Sequence, residues 1–242
     1  MKKFMMRHIG YISCFVFTIT GTMACTEHNL SHHEKIDASV SKLSLDVDMA
    51  NVNVIVSDRD EAAVDIDISY RGSVPAYTID TRNEKLSVSL DCPMYCSGDI
   101  TLRVPVDTSV DVALDSGNAE VKGVEGDVSV WVESGDVAVH DLAGELDLRA
   151  NNGSIQGRVQ SKVCYADAND GNISLQFDRV PKMIDVVTRL GDIDLKVPSD
   201  SYRIWTQQKG TPAKIENIQK NNDSSNEIFA ECGSGFLRIM GI

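Results

Sequence analysis

The most constraining feature of the sequence is a set of glycines at a fixed, short interval. They lie nine residues apart, with one final step of 18: Gly117, Gly126, Gly135, Gly144, Gly153 and Gly171. Each glycine precedes a short segment in which apolar and polar residues alternate. A short regular period of this kind is typical of a stacked β-solenoid, in which each repeat buries its apolar face against its neighbours.

Alternation places successive side chains on opposite faces of a strand, one inward and one outward. Two segments with their turns span 18 residues and would make one coil. Residues 18 positions apart should then stack, and Val128, Leu146 and Cys164 should form one inward column. No long segment has the 3.6-residue period of a helix. The sequence therefore predicts an all-β, single-stranded, right-handed β-solenoid (β-helix-like) with coils of about 18 residues.

The glycines also predict the turns between segments. Ser116-Gly117, Ser134-Gly135, Asn152-Gly153 and Asp170-Gly171 are turn dipeptides at 18-residue spacing. We expect glycine at these positions because it adopts the positive φ that a larger residue resists.

The N-terminal region has the pattern of an exported protein. Residues 1–24 combine a basic start with a short apolar run, which predicts a signal peptide. Cys25 follows a small residue and is the predicted lipidation site of a lipoprotein, although Thr22 stands where such sites usually carry leucine. A plain signal-peptidase cut near Cys25 is the alternative. By analogy with lipoprotein sorting, Thr26 favours the outer membrane over the inner one, with the periplasmic or surface face left open.

The rest of the chain divides into two parts. Residues 25–42 are polar and lack periodicity, so they are predicted to be the lipidated cysteine and a tether. Residues 43–242 are the predicted β-solenoid domain.

The mature chain is strongly acidic. Residues 1–24 contain three basic residues and no acidic one, so their removal leaves 20 basic and 36 acidic residues, a net charge of −16. This charge excludes nucleic acid as a partner, and it predicts contact with the membrane through the lipid anchor only.

Four cysteines remain in the predicted domain, in an oxidising compartment. Cys92 and Cys96 are close enough in sequence to close a small loop, so a disulfide is predicted between them. Cys164 and Cys232 fall on inward columns about three coils apart, roughly 14 Å at the spacing of strands. That exceeds the reach of a disulfide, so both are expected to be buried free thiols.

Five of the alternating segments share one pattern: 100–105 (ITLRVP), 116–121 (SGNAEV), 134–137 (SGDV), 152–155 (NGSI) and 191–195 (GDIDL). With these segments, residues 43–242 resemble the bacterial putative adhesin family, extracytoplasmic β-solenoid domains of unknown function that include auto-transporter adhesin heads. It implies a cell-envelope role and supplies no catalytic residues.

Two functions remain open from the sequence. The first is a non-enzymatic, lipid-anchored binding or scaffolding protein whose partner is an unidentified protein or glycan, contacted by the outward-facing Trp131 and Trp205. The second is a carbohydrate-active β-helix enzyme, which would require an acid/base pair in an aromatic-lined groove. Acidic or amide residues follow many of the glycines, but the calcium-binding repeat needs more glycines than this chain has. No cofactor, metal site or catalytic residue is predicted.

Overall fold

The computed structural model describes residues 26–57, 61–209 and 212–242. These residues form 22 β-strands and no helix. The strands of the first part of the chain are β1 (His28–Ile36), β2 (Lys42–Met49), β3 (Asn51–Val56), β4 (Ala62–Arg71), β5 (Ala76–Arg82), β6 (Lys85–Asp91) and β7 (Tyr95–Val104). Those of the middle are β8 (Ser109–Ser116), β9 (Ala119–Lys122), β10 (Val128–Ser134), β11 (Val137–His140), β12 (Leu146–Asn152), β13 (Ile155–Val159), β14 (Val163–Asp170), β15 (Ile173–Phe177), β16 (Met183–Leu190) and β17 (Ile193–Val197). The last are β18 (Ser201–Gln208), β19 (Lys214–Glu216), β20 (Gln219–Lys220), β21 (Glu227–Cys232) and β22 (Leu237–Gly241).

The strands form two large sheets, and the fold is all-β and β-solenoid-like. Sheet A has the order β1-β4-β7-β3-β9-β11-β13-β15-β17-β22-β19. Sheet B has the order β20-β18-β21-β16-β14-β12-β10-β8-β2-β6-β5. Alternate residues of the strands are buried, and their apolar side chains form one continuous core. The other residues face solvent, because a strand in a two-layer fold buries only one of its faces.

The middle of both sheets is parallel and has the register that the period predicts. In sheet B, Val128 pairs with Leu146, and Leu146 pairs with Cys164. In sheet A, Val137 pairs with Ile155. All five side chains are buried. Each inward position therefore repeats the same apolar contact from one strand to the next.

The turn glycines are required mainly by close stacking. A Cβ on Gly153 would lie 1.8 Å from the backbone carbonyl oxygen of Gly135, and one on Gly171 would lie 1.9 Å from that of Gly153. The expected positive φ is present at Gly117 (133°) and Gly135 (146°). It is not found at Gly153 or Gly171, whose φ lies outside the left-handed region. The prediction from φ is therefore wrong for those two glycines. Glycine is needed there because a Cβ would collide with the carbonyl oxygen of the adjacent turn.

At both ends, the strands do not follow chain order. β2 lies between β6 and β8, and β3 lies between β7 and β9. At the other end, β21 lies between β16 and β18, and β22 lies between β17 and β19. The last strand of the chain, β22, is therefore internal to sheet A. Strands β18 to β20 occupy that end instead.

The predicted tether over 25–42 is wrong for its central part, because His28–Ile36 form β1. This strand pairs antiparallel with β4 along its whole length. Its outward polar side chains bind polar partners on β4 and beside it: His33 contacts Asp65, and the Lys35 Nζ lies 2.8 Å from a Glu61 carboxylate oxygen. An edge strand held by polar pairs does not need the apolar alternation by which strands are recognised in a sequence.

Candidate binding surface

The outer face of sheet B carries both tryptophans that the sequence predicts as partner contacts. Trp131 lies on β10 and Trp205 on β18, and 40% and 42% of their surfaces are exposed. Five strand steps separate β10 from β18 in the sheet, roughly 24 Å at the usual strand spacing. The structure thus places both tryptophans on one face, but it does not bring them together at one site.

Trp205 belongs to an aromatic pair. Its ring stacks on that of Phe229, with centroids 4.4 Å apart and planes inclined by 4°. The Arg203 guanidinium lies 5.1 Å from the centroid of the Trp205 ring, and Arg203 also forms an ion pair with Glu227. These contacts hold a large apolar surface in a fixed orientation. Such a platform can stack against a sugar ring or another planar group.

A carboxylate and a third aromatic residue extend this pair along the sheet. In register, Phe229 pairs with Asp185, and Asp185 pairs with Tyr165 on β14. We call Tyr165, Asp185, Phe229 and Trp205 the aromatic row. Because the four residues occupy equivalent positions on neighbouring strands, they point to the same face at strand spacing.

Asp185, the one carboxylate of the row, has a raised pKa. Burial raises its pKa, and the charges of the neighbouring Asp167 and Glu231 raise it further. A carboxyl group with a raised pKa is more easily protonated, and it can then donate a hydrogen bond to a ligand hydroxyl. The row therefore combines apolar ring faces with a group that can both accept and donate hydrogen bonds.

Trp131 stands apart from the aromatic row. Its neighbours in register are Arg149 on β12 and Ala113 on β8. The Arg149 side chain donates two hydrogen bonds of 2.9 Å to the Asp147 carboxylate. Trp131 is consequently a single exposed aromatic residue beside a surface ion pair, and it is a weaker candidate for a binding site.

An open groove of about 570 Å³ occupies the same outer face, at the starts of the strands from β6 to β12. Its lining consists of Lys42, Leu43, Ser44, Lys85, Ser109, Val110, Asp111, Asp127, Val128, Ser129, Glu145 and Asp147. Carboxylates are present, but this lining includes no aromatic residue. The groove therefore does not match the aromatic-lined cleft that the enzyme hypothesis requires.

The acidic and amide residues after the turn glycines form a ladder that joins one turn to the next. The Asp136 backbone N–H donates to the Asn118 Oδ1 at 2.9 Å, and the Ser154 N–H donates to the Asp136 Oδ1 at 2.8 Å. The Asp192 N–H binds the Asn172 Oδ1 in the same way, at 2.8 Å. These oxygens satisfy backbone donors. Within the described ranges, no group of three or more His, Cys, Asp or Glu residues is arranged to hold a metal ion.

The cysteines serve the fold. Cys92 and Cys96 form a disulfide, with Cα atoms 6.2 Å apart. Cys164 and Cys232 are buried free thiols, and they lie two strand steps apart, rather than three, because β21 pairs directly with β16. Burial raises the pKa of the Cys164 thiol to about 12, so it stays protonated and unreactive. Cys25, the predicted lipidation site, and the predicted signal peptide 1–24 lie outside the described residues.

Sequence reasoning missed the partner of Trp205. Phe229 is 24 residues away in the chain, outside the 18-residue period, and it reaches Trp205 because β21 inserts beside β18. The one available signal was the alternation in Ile228, Phe229 and Ala230, which places Phe229 on the outward side.

Comparison with known proteins identifies the fold. The protein-family model described as Toastrack DUF4097 matches residues 95–228, more than half of the chain. Among solved structures, a putative adhesin from Bacteroides fragilis is 14% identical, with 90% of this chain and 99% of that chain covered and a TM-score of 0.51. A putative cell adhesion protein from Clostridium sporogenes is 10% identical, with coverages of 89% and 100% and a TM-score of 0.37. A putative adhesin from Parabacteroides distasonis is 11% identical, with coverages of 89% and 97% and a TM-score of 0.40.

No curated protein matches the chain. Over the ranges that the structure describes, no helix has the length and apolar character needed to cross a membrane.

Proposed function

The chain belongs to the Toastrack DUF4097 family, and from this premise we propose that it is a non-enzymatic, lipid-anchored protein of the cell envelope. Its solenoid presents a binding or scaffolding surface, in the manner of an adhesin. The ligand is a protein or a glycan, and the chemistry of the aromatic row favours a glycan.

The observation that carries the binding role is the aromatic row on the outer face of sheet B, in which Trp205 is exposed and the other three residues are half-buried. A Trp side chain that stays 42% exposed while it stacks on Phe229 contributes less to the core than a buried one would. The stacked rings instead offer a fixed apolar platform at the surface. Asp185 and Glu231 beside the platform supply polar groups that can bind sugar hydroxyls. A rigid platform also loses little conformational entropy when a ligand binds.

The anchor is supported by the sequence around Cys25, which follows a basic and apolar leader. Placement in the outer membrane rests on Thr26 at the next position. No positively charged cluster is needed for membrane attachment, because acyl chains alone provide it.

The finer architecture belongs to the same proposal: one right-handed, single-stranded solenoid with coils of about 18 residues. In its support, the paired strands of the middle section bring together residues 18 positions apart, as in Val128 with Leu146 and Val137 with Ile155. Parallel strands joined through a crossover are right-handed in most proteins. A crystal structure would decide both the hand and the residues per coil.

The binding role can be tested on an array of immobilised glycans with the Cys25→Ser protein, which carries no lipid. We expect selective retention that Trp205→Ala lowers at least about tenfold, because stacking on an aromatic platform is lost. Phe236→Ala is the matched control, since Phe236 is 68% exposed but lies off the aromatic row. Equal loss in both variants, or no retained glycan, would contradict a glycan-binding role for the row.

The anchor has a separate test. We expect the wild-type protein to sediment with membranes and Cys25→Ala protein to appear in the soluble fraction. Membrane association that survives the substitution would remove the lipoprotein assignment while leaving the binding surface untouched.

A carbohydrate-active enzyme is the second candidate, favoured by one observation. Asp185 has a raised pKa and lies between Tyr165 and Phe229 in the row, as a general acid beside a bound sugar would. If this role is correct, the protein releases fragments from a retained glycan, and Asp185→Asn abolishes release while leaving retention intact. A retained but uncleaved glycan supports the non-enzymatic proposal.

A further inference from the structure

Three large apolar side chains are exposed in the connections next to β4 and β7. Val74, Met94 and Tyr95 are exposed by 45%, 55% and 69%. Val74 lies in the connection from β4 to β5. Met94 directly precedes β7 and Tyr95 is its first residue, and both lie within the loop that the Cys92–Cys96 disulfide closes. We call these three residues the N-terminal patch.

The contacts of neighbouring residues hold the patch together. Tyr95 pairs in register with Arg71, the last residue of β4. A Cβ on Gly72 would lie only 2.8 Å from the Met94 sulfur, so Met94 packs directly over the chain that leads to Val74. The patch is therefore one local surface built from two connections at the same end of sheet A.

The first residues after Cys25 lie at the same end of sheet A as the patch. Glu27 precedes β1, and its carboxylate lies 3.5 Å from a guanidinium nitrogen of Arg71. Arg71 is also the residue paired with Tyr95. Glu27 thus contacts a residue that adjoins the patch, and only Thr26 separates Glu27 from Cys25.

The reach of the chain limits where the membrane can lie. Two residues of fully extended chain span at most about 7 Å. Because β1 is paired along its length with β4, the segment after Glu27 cannot serve as a longer tether. A lipid attached at Cys25 would therefore hold this end of sheet A within about one side-chain length of the bilayer surface.

We propose that the N-terminal patch enters the interfacial region of the bilayer that holds the lipid anchor, an inference that rests on the proposed lipidation of Cys25. Tyr95 has an apolar ring and a polar tip, and this combination suits the boundary between acyl chains and headgroups. Met94 and Val74 supply apolar contact beside it. The mature chain has a net charge of −16, so apolar insertion, rather than attraction to anionic lipid, is the interaction available to this end.

Docking of this end directs the binding surface away from the membrane. Trp205 lies on β18, eight strand steps from β6 in sheet B, roughly 38 Å along the stack. The patch fixes the near end of the solenoid, and Trp205 lies on the second strand from the opposite edge of sheet B.

Insertion can be tested by fluorescence quenching in vesicles. The full-length protein carries Tyr95→Trp together with Trp131→Phe and Trp205→Phe, so that a single tryptophan reports on the patch. The lipidated protein is purified from membranes and reconstituted into phosphatidylcholine vesicles with brominated acyl chains. We expect quenching of at least about twofold relative to vesicles without bromine, because an inserted ring lies within reach of the acyl chains.

The matched control carries Phe236→Trp in the same background. Phe236 is similarly exposed, at 68%, but it precedes β22, seven strand steps from β7 in sheet A, or roughly 34 Å. We expect no quenching at this position. Equal fluorescence of the Tyr95→Trp protein in both kinds of vesicle would overturn the inference.

Flotation of the same samples separates the inference from the proposal on which it rests. Protein that floats with the vesicles but shows no quenching at position 95 retains its anchor and lacks the inserted patch. Protein that fails to float has no lipid anchor, and the proposed anchoring and the inferred insertion then fail together.

Discussion

Replacement of Gly153 by alanine tests whether close stacking, rather than backbone conformation, requires the turn glycines. The added Cβ would lie 1.8 Å from the carbonyl oxygen of Gly135, on the adjacent turn. Ordinary contact needs more than 3 Å, so the two turns would have to separate by more than 1 Å, about a quarter of the strand spacing. Overpacking of this kind costs about 1–3 kcal/mol. Strain in the hydrogen bond that joins these two turns, from the Gly135 N–H to the Asn152 carbonyl and 3.0 Å long, adds about 1 kcal/mol.

The expected loss in the free energy of unfolding is therefore about 2–4 kcal/mol. Urea denaturation followed by circular dichroism should show a midpoint lowered by about 1–2 M, at a typical slope of about 2 kcal/mol per M. Lys162→Ala is the matched control, because Lys162 is an exposed turn residue 18 positions after Gly144. Since the φ of Gly153 is not left-handed, alanine should instead be neutral or stabilising if conformation alone mattered. That result would refute the stacking argument.

Three further variants probe the core, the disulfide and the aromatic row. Val137→Asp buries an unpaired charge in a fully buried column and should cost more than about 4 kcal/mol; an unchanged melting curve would contradict the register. Loss of the disulfide through Cys92→Ser with Cys96→Ser should cost about 2 kcal/mol for so short a loop, measured by urea denaturation without reductant. The raised pKa of Asp185 means that its ionised form destabilises the fold, and that this cost disappears once pH falls below the ordinary aspartate pKa of about 4. Asp185→Asn should thus raise the urea midpoint at about pH 7 and not at about pH 3; an equal gain at both values would exclude ionisation as the cause.

The inward columns could be predicted because period and alternation are local properties of the chain. Val128, Leu146 and Cys164 pair as the 18-residue period requires. The predicted outward orientation of Trp131 and Trp205 follows from the same alternation, and both side chains are exposed.

The order of the strands at the ends could not be predicted. Every repeat offers a similar apolar face, so the sequence contains nothing that favours insertion of β21 between β16 and β18 over simple addition at the end. The stacking of Trp205 on Phe229 depends on that insertion. The alternation therefore predicts that Trp205 and Phe229 both face outward, but it does not predict that their rings stack.

Polar pairing was the second obstacle. β1 is held to β4 by contacts such as His33 with Asp65, and these leave no apolar period in the sequence. The tether prediction failed for that reason. The presence of β1 shortens the link to the proposed lipid anchor, because only Thr26 and Glu27 separate Cys25 from the first residue of β1.

The central claim, that the aromatic row binds a ligand, is tested most directly by intrinsic tryptophan fluorescence. The chain has two tryptophans, and both lie on the outer face of sheet B. Titration with a glycan retained on the array should shift the emission of the wild-type and Trp131→Phe proteins with the same affinity. The Trp205→Phe protein should bind more weakly and show little shift. Unweakened binding by the Trp205→Phe protein, with the emission change following Trp131 instead, would contradict the claim.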